Sequence, residues 1–557
     1  TNNFILVDLP FIKGLSYKFN TGYTFRTRLF EEYQGRDTKS GYQKGGVAAV
    51  ENSRNTDWII ENIINYDRTF NLHHLFITLL YSAQSQVDIS HDLHGENFPS
   101  DIMSYYQMDK AQSIEPSSSF TQRNYLSQMG RLNYAFKSRY MATFTVRRDG
   151  YSGFGENTKF GVFPSVALAW NISNEKFLEP VEWLNTLKLR ISYGKNGNQA
   201  VSAYSTLPRL SSLDYLSGAN VSLFGFYPSK LGDENLGWET TKSFNSGLDF
   251  GLMSNRITGS IEYYRSNTYD LLLSRSISAV NGTTSITQNV GETLNHGIEF
   301  QASSVNIDKG SFRWTTDFNI SHNRNELVNV GLTDEAGNLI DDVASQWFLG
   351  RPIEVNYAYV FDGIWQVGDD IANSAQPTAV PGDVKVLDAN GDKRISPEDR
   401  QIIGSLYPKY VAGLTNTFNY KGITLSFFIH TVQGVTKQNT LITTDDYQMR
   451  QNQFNLTYWT PENPINTFPR NAPTQNNNPY SVRWYEDAGF TRLKDITLSY
   501  KIPDNLIGKA GISRFEVYCN AKNVFTLTDW KGLDPELSNQ RSMPLMRTIV
   551  FGLKLGF

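Results

Sequence analysis

LSYKFNTGYTFR, residues 15–26, is the stretch on which the fold turns. Leu15, Tyr17, Phe19, Thr21, Tyr23 and Phe25 occupy one set of alternate positions, and Ser16, Lys18, Asn20, Gly22, Thr24 and Arg26 the other. Successive side chains of a strand point to opposite faces, so this period of two predicts a strand with one apolar and one polar face. The pattern returns in Phe312, Trp314, Thr316, Phe318 and Ile320 against Arg313, Thr315, Asp317, Asn319 and Ser321, and again in Ile549, Phe551, Leu553, Leu555 and Phe557.

Working outward from this stretch, the alternation predicts about seventeen strands. They lie near residues 1–9, 15–28, 57–66, 72–85, 123–136, 139–149, 159–171, 185–194, 240–252, 256–266, 288–304, 311–323, 409–420, 423–432, 489–501, 512–525 and 547–557. The connections at 10–14, 67–71, 137–138, 253–255, 305–310 and 421–422 are short, and they alternate with long polar ones at 29–56, 86–122, 195–239, 324–408 and 433–488. Transmembrane barrels sort their loops this way, with short periplasmic turns and longer extracellular loops, whereas a soluble sandwich has no reason to. The orientation puts Phe557 on the periplasmic side. Closed bacterial barrels have an even number of strands. The odd count therefore predicts an all-β fold that is an incomplete transmembrane antiparallel β-barrel, of the large, plugged type with about 22 strands. Residues 1–557 would be its C-terminal part, with the plug and the N-terminal strands outside this sequence. No export signal precedes Thr1, which fits a processed or partial chain.

Composition agrees with membrane residence. The 557 residues include 30 Tyr, 34 Phe and 10 Trp although only 39% are hydrophobic, and the mean hydropathy is -0.40. The most apolar stretches, 75–81 and 423–429, fall short of the roughly 20 residues of a membrane helix, but a barrel strand crosses in about 10 and needs only every second residue apolar. With 51 basic and 55 acidic residues the net charge is -4, and no nucleic-acid footprint stands out. The single Cys519 cannot form an intrachain disulfide and reads as a small strand residue.

Several segments then carry a family signature. Tyr134-Ala-Phe-Lys-Ser-Arg-Tyr140 leads to Arg147-Arg-Asp-Gly-Tyr-Ser-Gly-Phe-Gly155, Phe163-Pro-Ser-Val166, Leu187-Lys-Leu-Arg-Ile-Ser-Tyr-Gly194 and Gly197-Asn-Gln199. Further along come Glu234-Asn-Leu-Gly-Trp-Glu-Thr240, Asn289-Val-Gly291, Asn295-His-Gly-Ile-Glu299, Gly382-Asp383, Arg492-Leu-Lys-Asp-Ile-Thr-Leu-Ser-Tyr500, Asn523-Val-Phe525 and Gly532-Leu-Asp-Pro-Glu536. In this order they resemble the SusC/RagA family of TonB-dependent outer-membrane transporters of Bacteroidota. The resemblance implies import of oligomeric nutrients, glycans or peptides, across the outer membrane of a Gram-negative bacterium. It also implies a SusD-like lipoprotein over the extracellular mouth and energy from the TonB–ExbB–ExbD complex. The competing readings are a barrel that acts as a scaffold or adhesin without transport, and a secreted β-rich hydrolase.

One compact motif has ligand spacing: Asp388-Ala-Asn-Gly-Asp-Lys-Arg-Ile-Ser-Pro-Glu-Asp399. Oxygen groups at positions one, three, five and twelve match a calcium loop of the EF-hand kind. Asp388, Asn390, Asp392 and Asp399 would supply side chains, Arg394 a backbone carbonyl, and Ile395 would pack inward. Lys393 stands where glycine is usual and Asp399 where glutamate is usual, so a plain Asx turn without metal competes with a calcium clip. His91-Asp-Leu-His94-Gly-Glu96 reads as an exposed polar loop, and His73 and His74, adjacent on a strand, cannot share a metal. Gly150-Tyr-Ser-Gly-Phe-Gly155 lacks the helix a dinucleotide site needs. No catalytic triad is legible, so the chain is not expected to be an enzyme. Tyr66, Tyr140, Trp170, Tyr193 and Tyr500 fit the aromatic girdles of a barrel. Trp238, Trp347, Trp365, Tyr458, Trp459, Trp484 and Tyr485 lie in long loops and read as loop packing or partner contact.

Overall fold

The computed structural model describes residues 1–199, 201–216, 222–442, 456–472, 477–507 and 511–557. Parts of the long connections 195–239 and 433–488 lie outside these residues. In chain order the strands are β1 (Asn2–Asp8), β2 (Leu15–Gln34), β3 (Val47–Phe70), β4 (His73–Glu96), β5 (Ser113–Phe136), β6 (Tyr140–Tyr151), β7 (Phe160–Asn171) and β8 (Leu184–Asn198). There follow β9 (Arg209–Leu216), β10 (Ser222–Lys230), β11 (Glu239–Leu252), β12 (Ile257–Ser276), β13 (Ser285–Lys309), β14 (Phe312–Asn329), β15 (Tyr357–Tyr359), β16 (Phe361–Ile364), β17 (Val384–Val386) and β18 (Arg400–Ile402). The last are β19 (Tyr410–Tyr420), β20 (Ile423–Gln433), β21 (Thr436–Gln438), β22 (Tyr485–Asp487), β23 (Phe490–Lys501), β24 (Arg514–Thr528) and β25 (Thr548–Gly556). Seventeen of them form one sheet, while β9–β10, β15–β18, β16–β17 and β21–β22 are separate two-stranded pairs. Among the described residues no helix is long and apolar enough to cross a membrane.

The chain divides into two compact units, one of Thr1–Asn171, Arg190–Phe244 and Ser266–Glu292, the other of Ile172–Leu189, Asn245–Arg265 and Thr293–Phe557. In the first, antiparallel pairing sets Leu15, Tyr66, Ile77, Leu132, Phe144 and Val166 side by side across β2 to β7. The neighbouring row is Tyr17, Ile64, Leu79, Gly130, Val146 and Pro164. These rows alternate with polar ones, as a sheet with one apolar face requires. Leu79 is 51% exposed and Val146 53% exposed, so the apolar face is not the inside of a soluble core. Toward the tight turns it ends in rings, with Phe136, Tyr140 and Trp170 stacked at centroid distances of 6.5 and 6.4 Å.

The second unit repeats the arrangement. Trp314, Phe418, Leu425, Leu498, Cys519 and Phe551 form one row across β14, β19, β20, β23, β24 and β25. Cys519 is thus a small residue in an apolar row. The polar atoms on this face are satisfied locally, as a lipid-facing surface demands: Trp314 Nε1 and Thr316 Oγ1 donate to Asn416 Oδ1 at 2.8 and 2.7 Å. On the opposite face Asn520 Nδ2 and Thr497 Oγ1 donate to the Asp495 carboxylate at 2.8 and 3.0 Å.

The tight turns are built from residues that tolerate positive φ. Gly14 (φ +87°) is the sharpest case, because a Cβ there would lie 2.0 Å from the Asp67 carbonyl oxygen, the backbone to which β2 is pinned by the Asp67 N–H donating to Gly14 O at 2.8 Å.

Four expectations require correction. The alternation ends β2 at 28 and begins β3 at 57, leaving 29–56 as a loop, whereas β2 runs to Gln34 and β3 starts at Val47. Likewise β4 runs to Glu96 and β5 starts at Ser113, inside the stretch 86–122 read as loop. A 24-residue strand reaches roughly 80 Å, against the roughly 10 residues of one bilayer crossing. Beyond the apolar belt both faces are polar, so the pairing continues where the hydrophobic signal stops. His91-Asp-Leu-His94-Gly-Glu96 is consequently strand, and its two histidines, three residues apart, point to opposite faces. The long connection 324–408 also holds β15 to β18. With residues from 456–488 it encloses a core of Ile364, Val384, Val386, Ile395, Trp459 and Val482.

Candidate functional site

The oxygen-rich loop at 388–399 keeps its shape by side-chain bonds to its own backbone. Asp388 accepts from the N–H groups of Gly391 and Lys393 at 2.8 and 2.9 Å, Asn390 Oδ1 from Asp392 at 3.0 Å, and Asp392 Oδ1 from Arg394 at 2.8 Å. Lys393 adopts the left-handed conformation (φ +64°) that glycine would take at this position of a calcium loop. Ile395 packs into the core of the long loops. Asp399 is fully buried; its two oxygens accept from Ala389 and Ser396 at 2.9 and 2.7 Å, and it closes a capping box on the 3₁₀ turn Pro397–Asp399. Asp388, Asn390 and Asp392 therefore share one turn, with Asn390 Nδ2 3.2 Å from Asp392 Oδ2, while Asp399 turns toward the start of the loop. The donors are all oxygen, which suits a hard cation. Among the described residues no three His, Cys, Asp or Glu side chains converge as a metal site, so Asn390 and the Arg394 carbonyl are needed to complete a set.

Burial pushes the Asp399 carboxyl up, but hydrogen bonds from the Ser396, Ala389 and Asn390 backbone outweigh it and hold its pKa below the ordinary 3.8. A depressed carboxylate adds stability that is fully present above the unfolded value and is lost as pH falls through the folded one. The loop should therefore loosen only below about pH 4. Asp399→Ala leaves two N–H groups unpaired and is expected to cost the loop about 1–3 kcal/mol, read as faster hydrogen exchange at Ala389 and Ser396. Unchanged exchange at both amides would rule out this role for Asp399.

The histidines behave as single residues. His73 Nδ1 lies 2.6 Å from Tyr134 Oη, and His74 Nε2 lies 2.8 Å from Asp67 on the other face. His94 pairs with Glu96 at 3.0 Å, and Lys44 reaches the same carboxylate at 2.5 Å.

Most loop aromatics are packing elements. Trp365 and Trp459 are buried, Trp484 lies against Phe361 and Phe468, and Trp238 against Phe154 and Phe163 with centroids 5.0 and 5.3 Å apart. These last contacts join three of the signature segments. Gly155 meets the 234–240 segment so closely that a Cβ would sit 1.7 Å from the Glu234 carbonyl oxygen. Thr158 Oγ1 donates to Leu236 O at 2.7 Å, and Asn289 brackets Gly237 from both sides, accepting from its N–H at 2.8 Å and donating to its carbonyl at 3.2 Å.

A second pair of signature segments meets in the other unit, in a contact that strand alternation does not foresee. Arg492, with its side chain 3% exposed, bonds Asp534 at 2.7 Å and Glu536 at 2.9 Å and Thr526 Oγ1 at 2.9 Å. Lys494 also pairs with Glu536, and Lys437 Nζ donates to the Pro535 carbonyl at 2.7 Å. The only sequence signal for this network is a charge of each sign inside two signature segments forty residues apart. In both units the signature residues brace loops against the sheet.

Similarity to known proteins runs along the same features. A family model for the TonB dependent receptor-like β-barrel matches residues 8–524. TonB-dependent receptor P3 of Formosa agariphila is 32% identical over 575 aligned residues, which cover 98% of this chain and 57% of that protein. TonB-dependent receptor SusC of Bacteroides thetaiotaomicron is 30% identical over 82% of this chain and 46% of its own. The solved RagAB peptide transporter shares the fold, with a TM-score of 0.79 at 24% identity over 100% of this chain and 61% of that one. The chain spans about half the length of the curated relatives it matches. A sheet with one apolar and one polar face, braced by signature residues and matched over nearly its whole length, makes this chain a member of the TonB-dependent receptor β-barrel family of the outer membrane, similar to SusC and RagA.

Proposed function

We propose that this chain is the wall of a TonB-dependent importer that takes oligomeric nutrients, glycans or peptides, across the outer membrane. A SusD-like lipoprotein would sit over its extracellular mouth, and the TonB–ExbB–ExbD complex would supply energy. The observation that carries this reading is the two-faced sheet: an apolar belt toward lipid, and an opposite face crowded with paired polar groups, such as Asn20 with Glu61 at 2.7 Å and Ser127 with Asp149 at 2.5 Å. A hydrated face of that kind suits the passage of a polar solute. RagAB is described as a peptide transporter, and the peptide alternative rests on that likeness of fold. The test is accumulation of fluorescent oligopeptides and oligosaccharides by the native host, with the full receptor present, deleted, or present without TonB. Import predicts that one class accumulates only in the first case. Equal accumulation in all three would favour a scaffold or adhesin.

The same reading includes a structural calcium ion at 388–399, held by the side chains of Asp388, Asn390, Asp392 and Asp399 and the Arg394 carbonyl. The spacing of these oxygens supports it, and the ion would clip an extracellular loop without taking part in transport. Hydrogen exchange at Gly391 and Lys393 is expected to slow at least several-fold in calcium relative to chelator, and Asp388→Ala should abolish the difference. A loop closed by its amides alone would exchange equally in both.

A further inference from the structure

His430 stands on β20 between Arg492 of β23 and Gly413 of β19. It lies an odd number of positions from Leu425 of the apolar row, so it points to the opposite, polar face. Its ring stacks on Phe428 with centroids 6.2 Å apart and meets Phe490 edge to face at 5.7 Å. The Arg492 guanidinium lies over that same Phe490 ring at 5.3 Å. The imidazole is thus packed into the base of the network that holds segment 529–547, in which Arg492 pairs with Asp534 and Glu536 and Lys494 with Glu536.

β19 presents Val411, Gly413 and Thr415 on this face, and β20 itself Phe428 and Val432, none of them charged. The charges that act on the ring are the cations Arg492 and Lys494 on β23 and the anion Glu536, which both cations already hold. Asp534 is taken up by Arg492 at 2.7 Å, and Lys437 is anchored on the Pro535 carbonyl at 2.7 Å. Among the described residues the Nδ1 atom of His430 is buried and has no hydrogen-bond partner. A neutral imidazole can leave that nitrogen as a bare acceptor, with its proton on Nε2, whereas the imidazolium carries N–H on both nitrogens. Protonation in place therefore buries a donor with nothing to accept it. It also sets a third cation beside two that share one carboxylate.

We propose that His430 is the acid-sensitive element of this latch, and that protonating it loosens the hold on segment 529–547. The segment joins β24 to β25 at the end of the strands away from the tight turn 421–422, so the part set loose belongs to the extracellular end. The latched state binds fewer protons at His430 than the loosened one. Its stability therefore rises with pH through the imidazole range and falls as pH drops through that range. Imidazole changes charge between about pH 5 and about pH 8, above the carboxylates and below Lys and Arg, so no other group of the network responds there. The latch stands whether or not the chain moves a solute.

The test uses the full-length receptor in vesicles, with Cys519→Ala and Leu533→Cys so that a single spin label reports on the segment beside Asp534. Leu533 is 55% exposed, and the label displaces no packed side chain. The mobile fraction of its spectrum is expected to rise at least about threefold between about pH 8 and about pH 5. His430→Phe fills the space between the two rings and His430→Gln keeps a polar group. Neither takes a proton in this range, so both should hold the mobile fraction constant with pH while keeping the heat-modifiable migration of the folded barrel. A mobile fraction that does not change with pH in the labelled parent, or that rises as much in either folded variant, overturns the proposal.

Discussion

Leu79→Arg is expected to destabilise the full receptor in a lipid bilayer by about 2–4 kcal/mol. Leu79 lies between Ile64 and Gly130 in an apolar row that crosses six strands. It is seven residues from Leu72, at the tight turn before β4, which puts it near the middle of a crossing of about 10 residues. A guanidinium there must either leave water or pull water and headgroups into the hydrocarbon, and no neighbour in the row offers a carboxylate. The same substitution at Ser82, one strand-parity away and beside Ser127, places the charge on the polar face and should cost far less. Urea titration of the receptor folded into vesicles separates the two outcomes. Equal losses at Leu79 and Ser82 would mean that the two faces do not differ in what they meet.

Arg492→Ala is expected to cost about 3–5 kcal/mol and to release the segment 529–547 from the sheet. The cost comes from what remains after truncation: Asp534 is 6% exposed and would keep a charge with no ion-pair partner in contact, only the more distant ammonium of Lys437. Lys494 would still meet Glu536, so the loss falls mainly on Asp534, whose other oxygen accepts from Leu545 N–H at 3.2 Å. Unfolding of the purified receptor in detergent should shift down, and limited proteolysis should cut within 529–547 before any other site opens. A shift below about 0.5 kcal/mol, the level of an ordinary surface substitution, with no new cleavage, would show that the network does not hold this segment.

The membrane-crossing part of each strand was legible because lipid on one side and water on the other impose a period of two on residues such as 15–25. Above the belt that constraint disappears. Glu31, Glu32, Glu51 and Asn52 sit in paired strand with polar residues on both faces, and nothing in their pattern separates strand from loop. The small sheets and apolar core inside 324–408 were hidden for another reason. Ile364, Val384, Val386 and Trp459 come together from short segments up to a hundred residues apart, too short for a period to show. The spacing of Asp388, Asn390 and Asp392 on one turn was legible, and so was the inward Ile395. The burial of Asp399 against the Ala389 and Ser396 amides depends on that loop core and was not. The signature segments were visible as strings, but their role appears only when Gly155 meets Glu234 and Arg492 meets Asp534.

The belt itself can be tested most directly at Cys519, which pairs with Leu498 and Phe551 in the middle of the second unit's apolar face. A spin label there, in the full receptor reconstituted into vesicles, should be relaxed strongly by molecular oxygen and hardly at all by a water-soluble nickel chelate. Strong relaxation by the chelate and weak relaxation by oxygen would place this face in water and contradict the transmembrane barrel.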